Sequence, residues 1–344
     1  MGCVLSTIND SLIVGLAGSR CDSDERPVVI LLLIRGRWFL SELIVAKGVP
    51  ARIGVVWRPD FDPRSLMVFA AEADQSGVDE LWLWEDCFLQ GGIAQASVAL
   101  AATRSLVVGV GVLPAPLRTV VAAALEISTL AAMFPGRVQV AIGHGVQHWM
   151  RQSGVAVASP LTLLREYVTA LRGLLAGQTV SVAGDYICLD SVCLRYVPEV
   201  RVPVLIGGAG PKTLALAGEL ADGVVLDCQQ TASSMRVALG HVDLSRQLQP
   251  LRNFRQMMYL ACAPGADSAS RLAAEAQHWN VTAAEEFGVG GSADSISEGI
   301  APYCAAGLDT VILQPIGEEV DTSDFLAAIT DLVRAWGRSG PAGG

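Results

Sequence analysis

From residue 51 onward, short runs of apolar, often β-branched residues alternate with longer amphipathic segments. A short apolar run bounded by glycine, proline or polar residues is typical of a buried strand, and apolar positions three and four apart are typical of a helix. Their regular alternation predicts parallel strands connected by helices. The predicted strands are Arg52–Trp57, Glu80–Trp84, Leu106–Leu113, Arg137–Gly143, Val202–Ile206, Gly223–Asp227, Gln256–Cys262 and Thr310–Gln314.

The helical segments fall between these strands, and one more follows the last strand. Eight strand–helix units predict an α/β fold, a (β/α)8 TIM barrel over residues 51–337. The clearest predicted helices are Pro63–Ser76, Thr119–Met133, Pro160–Leu175, Lys212–Ala221, Ser268–Trp279, Ser292–Ala306 and Thr322–Trp336.

Residues 179–196 depart from this rhythm. The runs Thr179–Leu189 and Val192–Tyr196 alternate between apolar and polar positions around glycine and aspartate, as strands with a turn do. We therefore expect a small β insertion between the fourth helix, which ends near residue 175, and the fifth strand. Such insertions usually border the active-site end of a barrel.

The two ends of the chain lack the barrel pattern. Val28–Ile34 is an apolar run, but it is far shorter than the ~20 residues that span a bilayer. Its charged flanks do not resemble a signal peptide. We expect residues 1–50 to be a poorly ordered N-terminal extension and residues 338–344 to be a flexible tail.

Composition narrows the class of protein. A hydrophobic content of 51 % in 344 residues is enough for a deep core. The net charge is −10 without a basic cluster, which argues against nucleic acid as a partner. The eight cysteines are scattered and form no Cys-x-x-Cys motif, which is typical of a reduced, cytoplasmic enzyme. No segment predicts a membrane partner.

In a TIM barrel, catalytic residues follow the C-terminal ends of the strands. These positions in the predicted barrel are polar, aromatic or glycine, whereas the strand bodies are aliphatic. Trp57, Trp84 and Trp149 are expected near one rim, where they favour a flat or apolar ligand. The asymmetry predicts a ligand pocket at this face.

The segment after the fifth strand predicts an anion site. Three glycines within four positions let backbone N–H groups approach a ligand, and the helix that follows adds a partial positive charge. One of the two lysines of the chain lies in the first turn of that helix. The predicted phosphate-binding residues are Gly207, Gly208, Ala209, Gly210, Lys212 and Thr213.

Two common phosphate motifs do not fit this segment. A P-loop requires glycine directly before lysine, but Pro211 separates Gly210 from Lys212. The dinucleotide fingerprint requires a third glycine where this chain has Thr213. Asp227 nevertheless follows at a spacing that suits this fingerprint, so an NAD(P)-binding dehydrogenase stays open as an alternative.

Four ordered segments carry a resemblance to a known family. They are AEADQSGVDELWLWED over 71–86, residues 99–114, residues 125–145 and IGGAGPKTLALAGELADG over 206–223. On these segments, the chain over about 51–336 resembles the bacterial-luciferase-like oxidoreductases. This family includes flavin-dependent monooxygenases and deazaflavin (F420)-dependent reductases.

The resemblance implies how a cofactor is held. FMN or reduced coenzyme F420 would lie over the strand ends, with its phosphate on the glycine segment. At the third strand, the family often has a bulge with a non-prolyl cis peptide, and Gly111–Val112–Leu113 is the matching stretch. Gly143, His144 and Gly145 match the strand-4 end that lines the edge of the ring.

The resemblance also identifies the candidates for proton transfer. Many members carry histidine after an acidic residue at the end of the second strand, where this chain has Glu85 followed by Asp86. Asp86 and Glu85 are therefore catalytic candidates, together with His144 at the same face. His144 and His148 lie four residues apart but lack a third ligand, so we predict no metal site.

The expected function is that of a flavin- or deazaflavin-dependent oxidoreductase acting on a small organic substrate. An FMN-type monooxygenase would receive reduced FMN from a separate flavin reductase, whereas an F420-type enzyme would transfer a hydride. The resemblance also implies a homodimer. A catalytically inactive barrel that serves as a binding protein is the remaining alternative.

Overall fold

The computed structural model describes residues 51–246, 253–281 and 286–338, and the backbone of four strands in the first fifty residues. The chain divides into two units, Met1–Pro50 and Ala51–Gly344. In the first unit an antiparallel sheet contains the strands Gly2–Ile8, Ser11–Ala17, Val28–Ile34 and Arg37–Leu43. The poor order predicted for residues 1–50 stays a prediction, and the predicted tail lies outside the described residues beyond Arg338.

The second unit is a closed barrel of eight parallel strands among the residues described. Each strand pairs with the next one along the chain, and the last pairs with the first. This confirms the predicted TIM barrel. The strands are β1 (Arg52–Trp57), β2 (Glu80–Leu83), β3 (Val107–Pro114), β4 (Val138–Gly143), β5 (Val204–Gly207), β6 (Gly223–Leu226), β7 (Arg255–Pro264) and β8 (Thr310–Pro315). A short strand, Val289–Gly291, adds to β7.

Helices surround the barrel and follow the strands in order. They are α1 (Leu66–Ser76), α2 (Gly92–Ala102), α3 (Val120–Met133), α4 (Gln147–Gln152), α5 (Pro160–Leu175), α6 (Pro211–Leu220), α7 (Ala232–Arg246), α8 (Ser268–His278), α9 (Ala293–Ala305) and α10 (Thr322–Arg338). Within the described part of the chain, no helix has the length and apolar character needed to cross a bilayer.

The predicted β insertion is a two-stranded antiparallel hairpin, Val180–Ala183 and Cys188–Val192. It lies between α5 and β5, as expected, but its second strand begins and ends earlier than the run Val192–Tyr196. The Glu166 carboxylate on α5 holds the hairpin turn, because it accepts hydrogen bonds of 2.9 Å from the backbone N–H groups of residues 185–187.

The lower half of the barrel interior is closed by a polar network around Glu80, which is fully buried. Its carboxylate accepts hydrogen bonds from Arg255 at 2.6 Å, from Gln139 at 2.7 Å and from the Trp82 indole at 2.8 Å. Arg255 also donates to Thr310 Oγ1 at 2.8 Å. An apolar layer that includes Trp82 lies above this network. The filled interior leaves space for a ligand at the C-terminal ends of the strands.

Candidate functional site

A cavity of about 390 Å³ lies at the C-terminal ends of the barrel strands. This volume is within the usual range for small-molecule sites. Residues from seven strand ends contribute to it. They are Trp84, Glu85 and Asp86 after β2, Gly111, Val112 and Pro114 of β3, Gly143–Val146 and Trp149 at and after the end of β4, Gly207 and Gly208 at the end of β5, Val225–Gln229 at and after the end of β6, Tyr259 of β7 and Gln314 of β8, with Trp279 from the segment after α8.

The floor of the cavity is built by a bulge in β3. The Gly111–Val112 peptide bond is cis, within the stretch where the family resemblance implied one, and the pairing of β3 with β4 shifts between Gly111 and Leu113. The Val112 side chain lies over Gly143 and Gly207, because a Cβ at either glycine would overlap a methyl group of Val112. The structure therefore brings together four of the predicted cofactor-binding residues.

An aromatic wall stands beside this floor. The rings of Trp84 and Tyr259 meet edge to face, with centroids 5.6 Å apart. The Tyr259 hydroxyl donates a hydrogen bond to the Gly111 carbonyl oxygen, which ties the wall to the bulge. Trp149 and Trp279 also line the cavity.

The prediction that Trp57 lies near this rim is wrong. Trp57 is fully buried on the outer side of β1, where its ring packs against Phe61 and Phe69 with centroids 5.2 Å apart in each pair. Side chains alternate between the two faces of a strand. Consequently Val56 faces the barrel interior and its neighbour Trp57 faces the helices.

The two adjacent carboxyl groups after β2 have different environments. Glu85 is buried and forms a bidentate ion pair with Arg118, at 3.0 and 2.9 Å, and it accepts a hydrogen bond of 2.9 Å from the Gly92 amide. Both of its oxygens are thus engaged, which favours a positioning role over proton transfer. The sequence interpretation missed Arg118; its only signal is its place after β3, at the same barrel face.

Asp86 also lines the cavity, and only one of its carboxyl oxygens is engaged among the residues described. Its Oδ2 accepts a hydrogen bond of 3.0 Å from the Trp84 indole, and its Oδ1 has no partner among the residues described. Burial raises the pKa of Asp86, the hydrogen bond from Trp84 opposes this rise, and the charge of Asp60 adds to it. These surroundings favour a carboxyl group that retains its proton to higher pH.

His144 follows β4 and is half-buried at the cavity. Its Nδ1 lies 3.2 Å from the Gly145 carbonyl oxygen, so a proton on Nδ1 leaves Nε2 as the acceptor. His148 is exposed on α4 and does not line the cavity. Gly145 adopts a positive φ of 70°, and a Cβ there would come within 2.8 Å of the Met150 sulfur.

The glycine segment leads from the cavity to the start of α6. Gly207 and Gly208 line the cavity, while Ala209, Gly210 and Lys212 are exposed. Thr213 is buried, and its methyl group occupies the space that a Cβ at Gly208 would need. The predicted anion site is therefore continuous with the cavity.

The fold differs from the one that a dinucleotide-binding dehydrogenase requires. That fold places its ligand at the switch point of an open sheet, whereas this sheet is closed. Asp227 is exposed after β6, and its carboxylate accepts a hydrogen bond of 3.1 Å from the backbone N–H of Gln229.

Comparisons of sequence and structure show which known proteins this chain resembles. A family model described as luciferase-like monooxygenase matches residues 40–308. The chain is 30 % identical over 174 residues to 5,10-methylenetetrahydromethanopterin reductase of Methanolobus tindarius, covering 51 % of this chain and 53 % of that protein. It is 31 % identical over 182 residues to F420-dependent glucose-6-phosphate dehydrogenase of Mycolicibacterium smegmatis, covering 48 % and 53 %.

The chain thus spans about half the length of the curated relatives it matches. Among solved structures, coenzyme F420 dependent tetrahydromethanopterin reductase from Methanopyrus kandleri is similar with a TM-score of 0.74. The sequence identity is 16 %, and the match covers 84 % of this chain and 100 % of that one. At this identity, the similarity shows a shared fold.

Proposed function

Because this chain belongs to the luciferase-like monooxygenase family, we propose that it is an oxidoreductase that uses reduced coenzyme F420 on a small organic substrate. The observation that carries the proposal is the cavity over the β3 bulge, which is continuous with the glycine segment at the start of α6. The matched relative from Mycolicibacterium smegmatis is named as F420-dependent, which favours a deazaflavin over FMN.

The residues present fit such a cofactor. Val112 and the two glycines beneath it offer an apolar seat for a flat ring, and the aromatic wall borders that seat. The backbone N–H groups of Ala209, Gly210, Lys212 and Thr213 and the exposed Lys212 side chain would hold an anionic tail, since a helix N-terminus attracts negative charge. A Cβ at Gly210 would meet no atom within 4 Å, so the space around this segment is open.

When bound, a reduced deazaflavin supplies a hydride. The chain itself contributes orientation, exclusion of water and a proton. Val112 supports one face of the cavity, and Tyr259 fixes the Gly111 carbonyl. Asp86 would hold a proton on its free oxygen and pass it to the substrate, while Glu85, Arg118 and the Gly92 amide fix the loop that carries Asp86. His144 Nε2 is the second proton-transfer group at this face.

The test compares cofactors directly. We expect purified protein to bind F420 in an absorbance or calorimetric titration and to bind FMN at least tenfold more weakly. With an organic hydride acceptor present, it should oxidise reduced F420 in the absence of oxygen. Tight FMN binding with oxygen uptake would instead identify a monooxygenase supplied by a flavin reductase. If no flavin or deazaflavin binds, the barrel is a binding protein without this chemistry.

A further inference from the structure

The charges around the cavity have one sign. Among the described residues that line it, the charged side chains are Glu85, Asp86 and Asp227, and none is a lysine or an arginine. Arg118, which is not among the residues that line the cavity, neutralises the charge of Glu85 through their ion pair. Asp86 and Asp227 have no cationic partner among the residues described. An anionic substrate would meet repulsion here, whereas a cationic one would supply the missing counter-charge.

The aromatic wall also favours a cationic ligand. Trp84, Trp149, Trp279 and Tyr259 line a single cavity, and the faces of indole and phenol rings attract organic cations. The Trp84 indole donates to Asp86 Oδ2 at 3.0 Å, so one aromatic group and one carboxyl group are already fixed beside each other. Aromatic faces next to a carboxylate are the groups with which proteins recognise organic ammonium and iminium ions.

We propose, building on the function proposed above, that the substrate is an apolar imine, which Asp86 protonates and then pairs with as the iminium ion. The proton moves from the Asp86 carboxyl oxygen to the imine nitrogen and forms the N–H bond. The hydride adds to the imine carbon as the C=N π bond breaks, and the product is an amine. A bound reduced deazaflavin would supply the hydride with its two electrons and would release one proton to solvent. The Asp86 carboxylate would recover its proton from solvent, so the overall reaction balances.

The position of Asp86 favours a nitrogen over a carbonyl oxygen. The family resemblance places histidine here, and its replacement by a carboxyl group changes both the acid and the charge that remains after proton transfer. An imine nitrogen is basic enough to accept a proton from a carboxylic acid whose pKa is raised by burial, whereas a ketone oxygen is far less basic. The iminium ion then has the Asp86 carboxylate as its counter-ion. A ketone and its alcohol product are neutral and would have no charge to pair with this carboxylate.

The first experiment needs no cofactor. Calorimetry measures binding of tetrahydroisoquinoline, an ammonium ion at neutral pH, and of tetralin, its uncharged carbon analogue. We expect the cation to bind at least tenfold more tightly than tetralin, and Asp86→Asn to remove most of this preference. Asp331→Asn, on an exposed side chain of α10, is the matched control and should retain it. Equal binding of the two compounds, or an unchanged preference in Asp86→Asn, would overturn the proposal.

The second experiment measures reduction. With reduced F420, we expect the cyclic imine dihydroisoquinoline to have a kcat/KM about a hundredfold or more above that of tetralone, and Asp86→Asn to lose most of it. The rate should fall as pH rises through the pKa of Asp86. The titratable groups near Asp86 are Asp60, Tyr259 and Cys87, together with its chain neighbour Glu85. If F420 binds but tetralone is preferred, the substrate proposal fails and the cofactor proposal stands. If F420 does not bind, the cofactor proposal fails and the cation preference still tests the cavity.

Discussion

Glu85 and Asp86 are neighbours in the sequence, yet their side chains meet opposite surroundings. Arg118 and the Gly92 amide engage both oxygens of Glu85, while Asp86 at the cavity has one oxygen without a partner among the residues described. When the environments of two acids differ in this way, their tasks differ too. In this site one carboxylate holds the loop and the other is available for proton transfer.

Glu85→Gln removes the charge that faces Arg118. Because the Arg118 side chain is only 21 % exposed, we expect the free energy of unfolding in urea to fall by about 3 kcal/mol. The matched control is Glu126→Gln. Its carboxylate lies 3.5 Å from Arg118 Nε and is 43 % exposed, so the loss should stay below about 1 kcal/mol. Equal losses in the two variants would contradict the assigned role of Glu85.

Asp86→Asn should raise the melting temperature at neutral pH. Burial raises the pKa of Asp86 above 3.8 in the folded state. Its contribution to stability is therefore complete below pH 3.8 and is lost as pH rises through the folded-state pKa. Asparagine avoids the cost of a buried charge, so its advantage should shrink as the buffer becomes acidic. Thermal unfolding over a pH series measures this, and a pH-independent difference would refute the explanation.

Three neighbouring elements share the construction of the cavity floor. The bulge of β3 supplies the bulk of Val112, and the ends of β4 and β5 leave room for it with Gly143 and Gly207. A change in one strand must therefore be matched in another. The same strands lead directly to the glycine segment and α6, so the seat and the predicted anion site are built as one piece.

Gly207→Ala tests this match between strands. The added methyl overlaps Val112, so we expect a loss of about 1–3 kcal/mol in unfolding free energy from overpacking. Combining it with Val112→Ala should restore part of that loss, because the overlapping methyl groups are removed. Gly240→Ala in α7 is the control, since no atom lies within 4 Å of the new Cβ. It should stabilise by about 0.5–1 kcal/mol.

The start of α6 offers a second test. Lys212 is exposed in the first turn of α6, so Lys212→Ala should weaken F420 binding about fivefold to tenfold at low salt and less at high salt. Arg104→Ala removes the same charge from an exposed side chain between α2 and β3 and should leave binding unchanged. A Lys212 effect that does not depend on salt would argue against contact with an anionic tail.

The order of the elements was predictable because hydrophobic periodicity reports strands and helices directly. All eight predicted strands exist, and their ends are displaced by only a few residues. The direction of the Trp57 side chain was predicted wrongly, because an almost wholly apolar strand lacks the alternation that distinguishes its two faces. The ion pair of Glu85 with Arg118 joins residues 33 positions apart. Such a contact follows from barrel closure and has no local signal.

The whole barrel depends on contacts that sequence reasoning did not find. Glu80 lies inside the barrel and is linked to Gln139 and Arg255, and Arg255 reaches Thr310. These residues belong to β2, β4, β7 and β8, so one buried network joins opposite sides of the sheet. It closes the end of the barrel opposite the cavity and leaves one face for the ligand.

Arg255→Met tests how far the barrel depends on this network. The substitution leaves the Glu80 carboxylate buried with its Arg52 contact at 3.3 Å. We expect the free energy of unfolding to fall by about 3–5 kcal/mol. The control Arg64→Met breaks an ion pair of an arginine that is 88 % exposed and should hardly alter the denaturation midpoint. A small loss for Arg255→Met would mean that apolar packing alone closes the barrel.

The cavity also has an optical consequence. Three of the seven tryptophans of the chain, Trp84, Trp149 and Trp279, line it. Their indole emission overlaps the absorption of flavins and deazaflavins, so a bound cofactor would quench it by energy transfer at short range. The protein thus contains its own fluorescent reporter of occupancy. Replacing each of these tryptophans by phenylalanine in turn would show which of them lies nearest to the bound ring.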